Sequence, residues 1–183
     1  AFASQPIMPA STRIICRMPA TSRWLNTTTF KPSRTSCAAM SAGMPFRVIS
    51  AHLEDADPSV QIAQAEELLA GPGNTALPTV FLGDFNSDAN AAPASGAYAV
   101  LTGAGLSDAW TAAHPGDPAP TCCQDPLLQN PVSLLDQRLD LVLVRGGVQV
   151  LEASRVGADP SDRVAGLWPS DHAGVVATLR IAR

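Results

Sequence analysis

Apolar and polar positions divide the chain into two textures, and the ordered one begins at Phe46. Phe46–Leu53 (FRVISAHL) alternates and carries β-branched residues, which predicts a strand. Asp57 then offers an N-cap and Pro58 a first-turn proline. Val60, Ile62, Ala63, Leu68 and Leu69 give a helical apolar set that Gly71 terminates. Thr79–Gly83 (TVFLG) is short and largely apolar, the pattern of a strand buried on both faces. A second helix is expected around Ser95–Leu101, closing near Gly103 or Gly105. Residues 113–135 hold five prolines and predict a long loop. Leu139–Val144 and Val148–Ala153 flank Gly146-Gly147 and read as a β-hairpin, and Gly174–Ile181 is a final strand.

Residues 1–45 show no sustained period of 2 or 3.6 and are expected to lack regular structure. They are basic, rich in Ser and Thr, and interrupted by Pro6, Pro9, Pro19 and Pro32, which rule out a clean amphipathic helix. Three readings are open: a disordered extension, a divergent part of the domain, or a stretch translated in the wrong frame. The remainder, 46–183, reads as one domain, consistent with a chain of 183 residues.

Charge sharpens this division. Residues 1–53 carry six basic side chains and no acidic one, a charge of +6, whereas 54–183 set six arginines against sixteen acids, a charge of −10. A body that acidic is a poor surface for tracking nucleic acid by counterion release. No stretch approaches the ~20 apolar residues of a membrane helix, and a monomer is expected. Of the cysteines, Cys122 and Cys123 are adjacent, which suits neither an ordinary disulfide nor a CxxC zinc site, so a structural role is expected.

Three polar clusters sit at predicted strand ends. Gly83-Asp84-Phe85-Asn86 follows a buried strand, and a spacing of two puts Asp84 and Asn86 on one face with Phe85 turned inward. Such a carboxylate–amide pair can position a water and hold a phosphate oxygen; an Asx turn ending the strand is the plainer reading. Asp140, in Arg138-Leu139-Asp140, shares a face with Val142 and Val144 and needs a partner if buried. Ser170-Asp171-His172 precedes the last strand. Sequence neighbours there cannot form a Ser-His-Asp triad, so His172 is expected to pair with a carboxylate from another strand. His52, taken alone, is better read as a satisfied strand histidine than as a catalyst.

The order HL after a β-branched strand, GDFN, RLD before an apolar strand, then SDH resembles the endonuclease/exonuclease/phosphatase family. The successive intervals, His52 to Asp84, Asp84 to Asp140 and Asp140 to Asp171, are 32, 56 and 31 residues, and the likeness covers about 46–181, the second half of that family's domain. The resemblance implies a two-sheet α/β sandwich of the deoxyribonuclease-I-like type, incomplete at the N-terminus. It implies catalytic roles for His52, Asp84, Asn86, Asp140 and His172. Asp84 would orient or deprotonate water, Asn86 hold phosphate, Asp140 fix His172, and His52 contact phosphate or assist the leaving group. Asp171 and Asp84 would hold a divalent metal, Mg²⁺ by preference, with Mn²⁺ or Ca²⁺ as alternatives. The substrate would be a phosphoester in a small molecule, lipid or nucleic acid. The family's first half also supplies an Asn and a metal-binding Glu, and no Glu occurs in residues 1–53. The rival reading is therefore an inactive truncated remnant, or a binding module of the same fold.

Overall fold

The computed structural model describes residues 33–41 and 43–181. Seven strands and three α-helices follow one another: β1 (Ser33–Ser41), β2 (Met44–His52), α1 (Pro58–Ala70), β3 (Thr79–Asp84), α2 (Gly96–Gly103), β4 (Ser107–Asp108), α3 (Ala109–Ala113), β5 (Asp140–Arg145), β6 (Val148–Val156) and β7 (Gly174–Ile181). One sheet has the order β1-β2-β3-β5-β4, and β6 and β7 form a second. The expected two-sheet α/β sandwich is what the chain adopts.

Alternation along the central strands explains the layering. Ile49 and Ala51 of β2, Phe81 of β3 and Leu141 and Leu143 of β5 pack with Ala65 and Leu68 of α1 and with Leu101 of α2. Their opposite-parity neighbours, Val48, Val80, Val142 and Val144, meet Val148 and Val150 of β6 and Val175, Ala177 and Leu179 of β7. Helices thus cover one face of the larger sheet and the second sheet covers the other. Burying each Val, Leu or Phe contributes about 1.5–3 kcal/mol, so both faces of β3 and β5 hold the layers together.

α1 begins as its sequence predicts. Asp57 Oδ1 accepts from the Ser59 and Val60 N–H groups at 2.8 and 3.3 Å, and Pro58 occupies the first turn. Its buried face differs from the apolar set in the sequence: Gln61, Gln64, Ala65 and Leu68 are inside, and Ala63 is exposed. The glutamines are tolerated because their amides are satisfied. Gln64 Oε1 accepts from Glu54 N–H at 2.7 Å, and Gln61 Nε2 donates to the Glu54 and Asn86 carbonyls at 3.1 and 2.5 Å.

Three further expectations require correction. Strand β1 lies within the segment expected to lack regular structure; it pairs antiparallel with β2 from Ser33↔His52 to Ser41↔Met44, and Gly43 turns the chain at φ +80°. β5 and β6 do not form a hairpin. Both edges of β5 are taken, by β3 and β4, so Gly146-Gly147 passes the chain from one sheet to the other. The sequence also gave no warning of α3, a single short helix capped by Asp108 just ahead of the Pro-rich loop.

Candidate active site

Strand register brings the polar ends together. β2 runs parallel to β3 with His52 opposite Asp84, and β3 runs antiparallel to β5 with Asp84 opposite Asp140. His52, Asp84 and Asp140 therefore form one row across three strands, on the parity that faces the second sheet. His52 Nε2 lies 3.5 Å from Asp84 Oδ2, with side chains 64% and 16% exposed. Gly83 permits this row: at φ +133° its backbone lies so close to β2 that a Cβ would collide with the Ala51 carbonyl.

His172 reaches the row from the segment just ahead of β7, where it bridges to Cys122. Its Nδ1 lies 2.8 Å from Asp140 Oδ2, with side chains 26% and 21% exposed. Asp84, Asp140 and His172 each present a ligand atom within 4.8 Å of the others. Asp140 is only partly buried, where its strand pattern suggested more.

Asn86 and Asp171 stand differently. Asn86 adopts φ +48°, donates its backbone N–H to Asp84 Oδ1 at 2.9 Å, and gives its side-chain N–H to the Leu53 carbonyl at 2.9 Å. The Asx turn is thus present, and it stiffens the strand end on which Asp84 sits. Phe85 between them is fully buried, as alternation requires. Asp171 is exposed, accepts from the Ser170 hydroxyl at 3.2 Å, and lies outside the trio of converging ligands.

Charge in the site favours a protonated imidazole. Burial lowers the His172 pKa, but the hydrogen bond it donates to Asp140 and the charges of Asp140, Asp84 and Asp171 outweigh it, so the group sits above its ordinary value. Burial likewise pushes the Asp140 carboxyl up, against hydrogen bonds from His172 and Thr121 that lower it; the nearby Asp84 charge adds to the rise.

Several supporting residues escaped sequence reasoning. Thr121 is fully buried, and its Oγ1 accepts from the Leu139 and Asp140 N–H groups, both at 3.0 Å. Arg138 is 3% exposed and gives Nη1 to Asp108 Oδ2 at 2.5 Å and Nη2 to Thr111 Oγ1 at 3.1 Å, while its backbone N–H bonds Asp88 Oδ1 at 3.0 Å. This buried pair clamps the strand entry two residues before Asp140. Only the RLD string hinted at Arg138; nothing marked Thr121. Cys122 is buried and Cys123 exposed, and the pair does not have the geometry of an ordinary disulfide.

A sandwich with carboxylates and a histidine gathered at the end of its inter-sheet core defines a class of α/β domain whose polar residues sit at strand ends. The chain belongs to the endonuclease/exonuclease/phosphatase family, whose model matches residues 11–172. The match begins upstream of Phe46. A search of curated proteins gives no match. Among solved structures, a protein of unknown function from Enterococcus faecalis V583 aligns at TM-score 0.65 and 22% identity, over 81% of this chain and 56% of that one. D. rerio TDP2, complexed with a single-strand DNA product, aligns at TM-score 0.58 and 19% identity, over 80% and 62%. A mannosyl-6-phosphatase from Bacteroides thetaiotaomicron VPI-5482 aligns at TM-score 0.53 and 20% identity, over 76% and 52%. The chain thus spans roughly half to three-fifths of the length of these structures.

Proposed function

We propose that the row His52–Asp84–Asp140, with His172 held on Asp140, hydrolyses a phosphoester with the help of a divalent metal ion. The observation that carries this reading is the 2.8 Å Asp140–His172 bond beside Asp84, at the rim of the inter-sheet core. Asp84 is the least committed carboxylate of the row and acts as the group that orients or deprotonates the attacking water. His172, fixed by Asp140 and with its pKa raised, offers positive charge to a phosphate oxygen when protonated. Asn86 stiffens the turn beside that oxygen. His52, largely exposed at the mouth, is placed to give a proton to the leaving group.

The donor set fits a hard divalent ion in part. Asp84 would supply carboxylate oxygen to Mg²⁺, or to Mn²⁺ or Ca²⁺, and Asp171, an exposed carboxylate outside the converging trio, would be the second ligand. When bound, such an ion neutralises charge developing on the phosphate oxygens. The acidic surface of 54–183 favours a small or lipid phosphoester over duplex nucleic acid.

The test is turnover of bis(p-nitrophenyl) phosphate by the 183-residue chain with Mg²⁺ or Mn²⁺, against EDTA. Asp84→Asn and His172→Ala are each expected to reduce the metal-dependent rate by ~10²–10⁴, the usual share of a positioned acid or base. A folded chain that binds the phosphoester without turning it over in either metal would instead favour the binding-module reading.

A further inference from the structure

Two threonines are fully buried among the described residues, and their hydroxyls serve different ends. Thr79 Oγ1 donates to the Leu77 carbonyl at 2.8 Å, two residues back, and closes its own turn. Thr121 reaches 18 and 19 residues along the chain, where its Oγ1 accepts from the Leu139 and Asp140 N–H groups at 3.0 Å each. A hydroxyl offers two acceptor positions and one proton. Both acceptor positions of Thr121 are filled, and its proton goes to the Asp140 carboxyl, to which it hydrogen-bonds.

The backbone of Thr121 joins the same spot to the other side of the site. Its N–H donates to the Gln137 carbonyl at 2.6 Å, just ahead of β5, and its carbonyl accepts from Ala173 N–H at 2.7 Å, just ahead of β7. Gln124 N–H adds a bond to the Asp171 carbonyl at 2.8 Å, so residues 121–124 run as a short ladder beside 171–173. His172 lies within that ladder, and Asp140 lies on the hydroxyl. One residue therefore touches the supports of both partners in the 2.8 Å Asp140–His172 bond.

We propose that Thr121 is a positioning residue: its hydroxyl fixes the Asp140 carboxyl and, through it, the aim of the His172 imidazole at the phosphoester. Strand register sets where Asp140 stands on β5 but not how its side chain is turned, since a carboxylate rotates among staggered rotamers. A carboxylate that bonds an imidazole and a buried hydroxyl together cannot turn without losing one of them. Supporting partners of this kind hold the group in front of them in its productive geometry. The effect on turnover rests on the phosphoester reading; the hold on Asp140 does not.

The experiment compares Thr121→Val, Thr121→Ser and Thr79→Val in the whole chain, each shown by circular dichroism to be folded at the assay temperature. Thr121→Val keeps the shape and every backbone bond and removes only the hydroxyl, which Thr121→Ser restores. Thr79→Val makes the same deletion at the end of β3 far from Asp84. In ¹⁵N-histidine-labelled chain, the Nδ1–H resonance of His172, identified by its loss in His172→Gln, reports the bond to Asp140 directly. It should move upfield or broaden in Thr121→Val and stay in place in the other two. With bis(p-nitrophenyl) phosphate and Mn²⁺, kcat should fall by about 10–100-fold in Thr121→Val with KM little changed, the scale of a lost supporting partner or a misplacement of about 1 Å. Thr121→Ser should recover most of that loss. Thr121→Ala serves the same comparison if valine does not fold. A resonance unmoved in the folded hydroxyl-free chain overturns the proposal, whatever the rates. Thr79→Val losing as much turnover also overturns it, because the loss would then follow stability alone. A resonance that moves in a chain whose wild type turns over no phosphoester upholds the hold on Asp140 and removes the phosphoester reading.

Discussion

Arg138→Met tests whether the buried clamp behind Asp140 holds the domain together. Arg138 and Asp108 are both 3% exposed and 2.5 Å apart. Without the guanidinium, the Asp108 carboxylate keeps only neutral donors: the Tyr98 hydroxyl at 3.2 Å, Trp110 N–H at 2.8 Å and Thr111 N–H at 3.4 Å. Breaking one side of a buried pair costs about 3–5 kcal/mol, against a total stability of about 5–15 kcal/mol for a domain. With a urea slope of about 2 kcal/mol per M, the unfolding midpoint should fall by roughly 1.5–2.5 M. Asp108→Asn in the Arg138→Met background removes the charge and keeps the side-chain oxygen that caps α3. The double variant should therefore recover much of the stability. The assay is urea unfolding followed by circular dichroism. A loss under about 1 kcal/mol, or a double variant no more stable than the single one, would refute the clamp.

Gly83→Ala should destabilise the chain by more than about 1 kcal/mol, because Ala disfavours φ +133° and its Cβ meets the Ala51 carbonyl; a melt unchanged from wild type would contradict this. Thr121→Val removes the acceptor for two N–H groups at 3.0 Å and should cost about 1–3 kcal/mol, read as a lowered melting temperature; an unshifted melt would show that water replaces the hydroxyl. The raised pKa values of His172 and Asp140 both mean more protons bound in the folded state. The His172 contribution is complete below its unfolded pKa of about 6.5 and is lost as pH rises through the higher folded value. Melting temperature should decline over that window in wild type and less so in His172→Gln, and NMR titration of the imidazole should place its midpoint above the ordinary value.

Local signals carried the elements, and non-local ones decided their neighbours. The Asp57–Pro58 start and Gly71 stop of α1 were legible because capping uses residues two or three apart. The buried face of α1 was not, because Gln61 and Gln64 find their partners at Glu54 and Asn86, outside the helix. The false hairpin arose from reading Gly146-Gly147 without asking what covered β5. LDLVLV is apolar on both faces, the mark of a central strand, whereas VQVLEASRV has the mixed pattern of a strand at an edge. The acidic Asp108 and basic Arg138 sit 30 residues apart, and neither has any local feature announcing a buried pair. For the candidate site, the motif residues were visible and their support was not, since Thr121 lies in a Pro-rich loop without periodicity.

The two halves of the site have different mechanical origins. His52, Asp84 and Asp140 are held by one sheet's register, so their spacing is as rigid as the hydrogen-bond ladder that aligns them. His172 lies two residues ahead of β7, bridged to Cys122, and meets Asp140 at the end of the core formed by Val48, Val80 and Val142 on one side and Val175 and Ala177 on the other. Its distance to Asp140 is therefore set by packing between layers, and the ladder of residues 121–124 with 171–173 is the direct tie across that gap. Interiors transmit small volume changes because they are close-packed. Sequence motifs name the ends of this span, but the length of the span is written in the apolar residues between them, which carry no chemistry of their own.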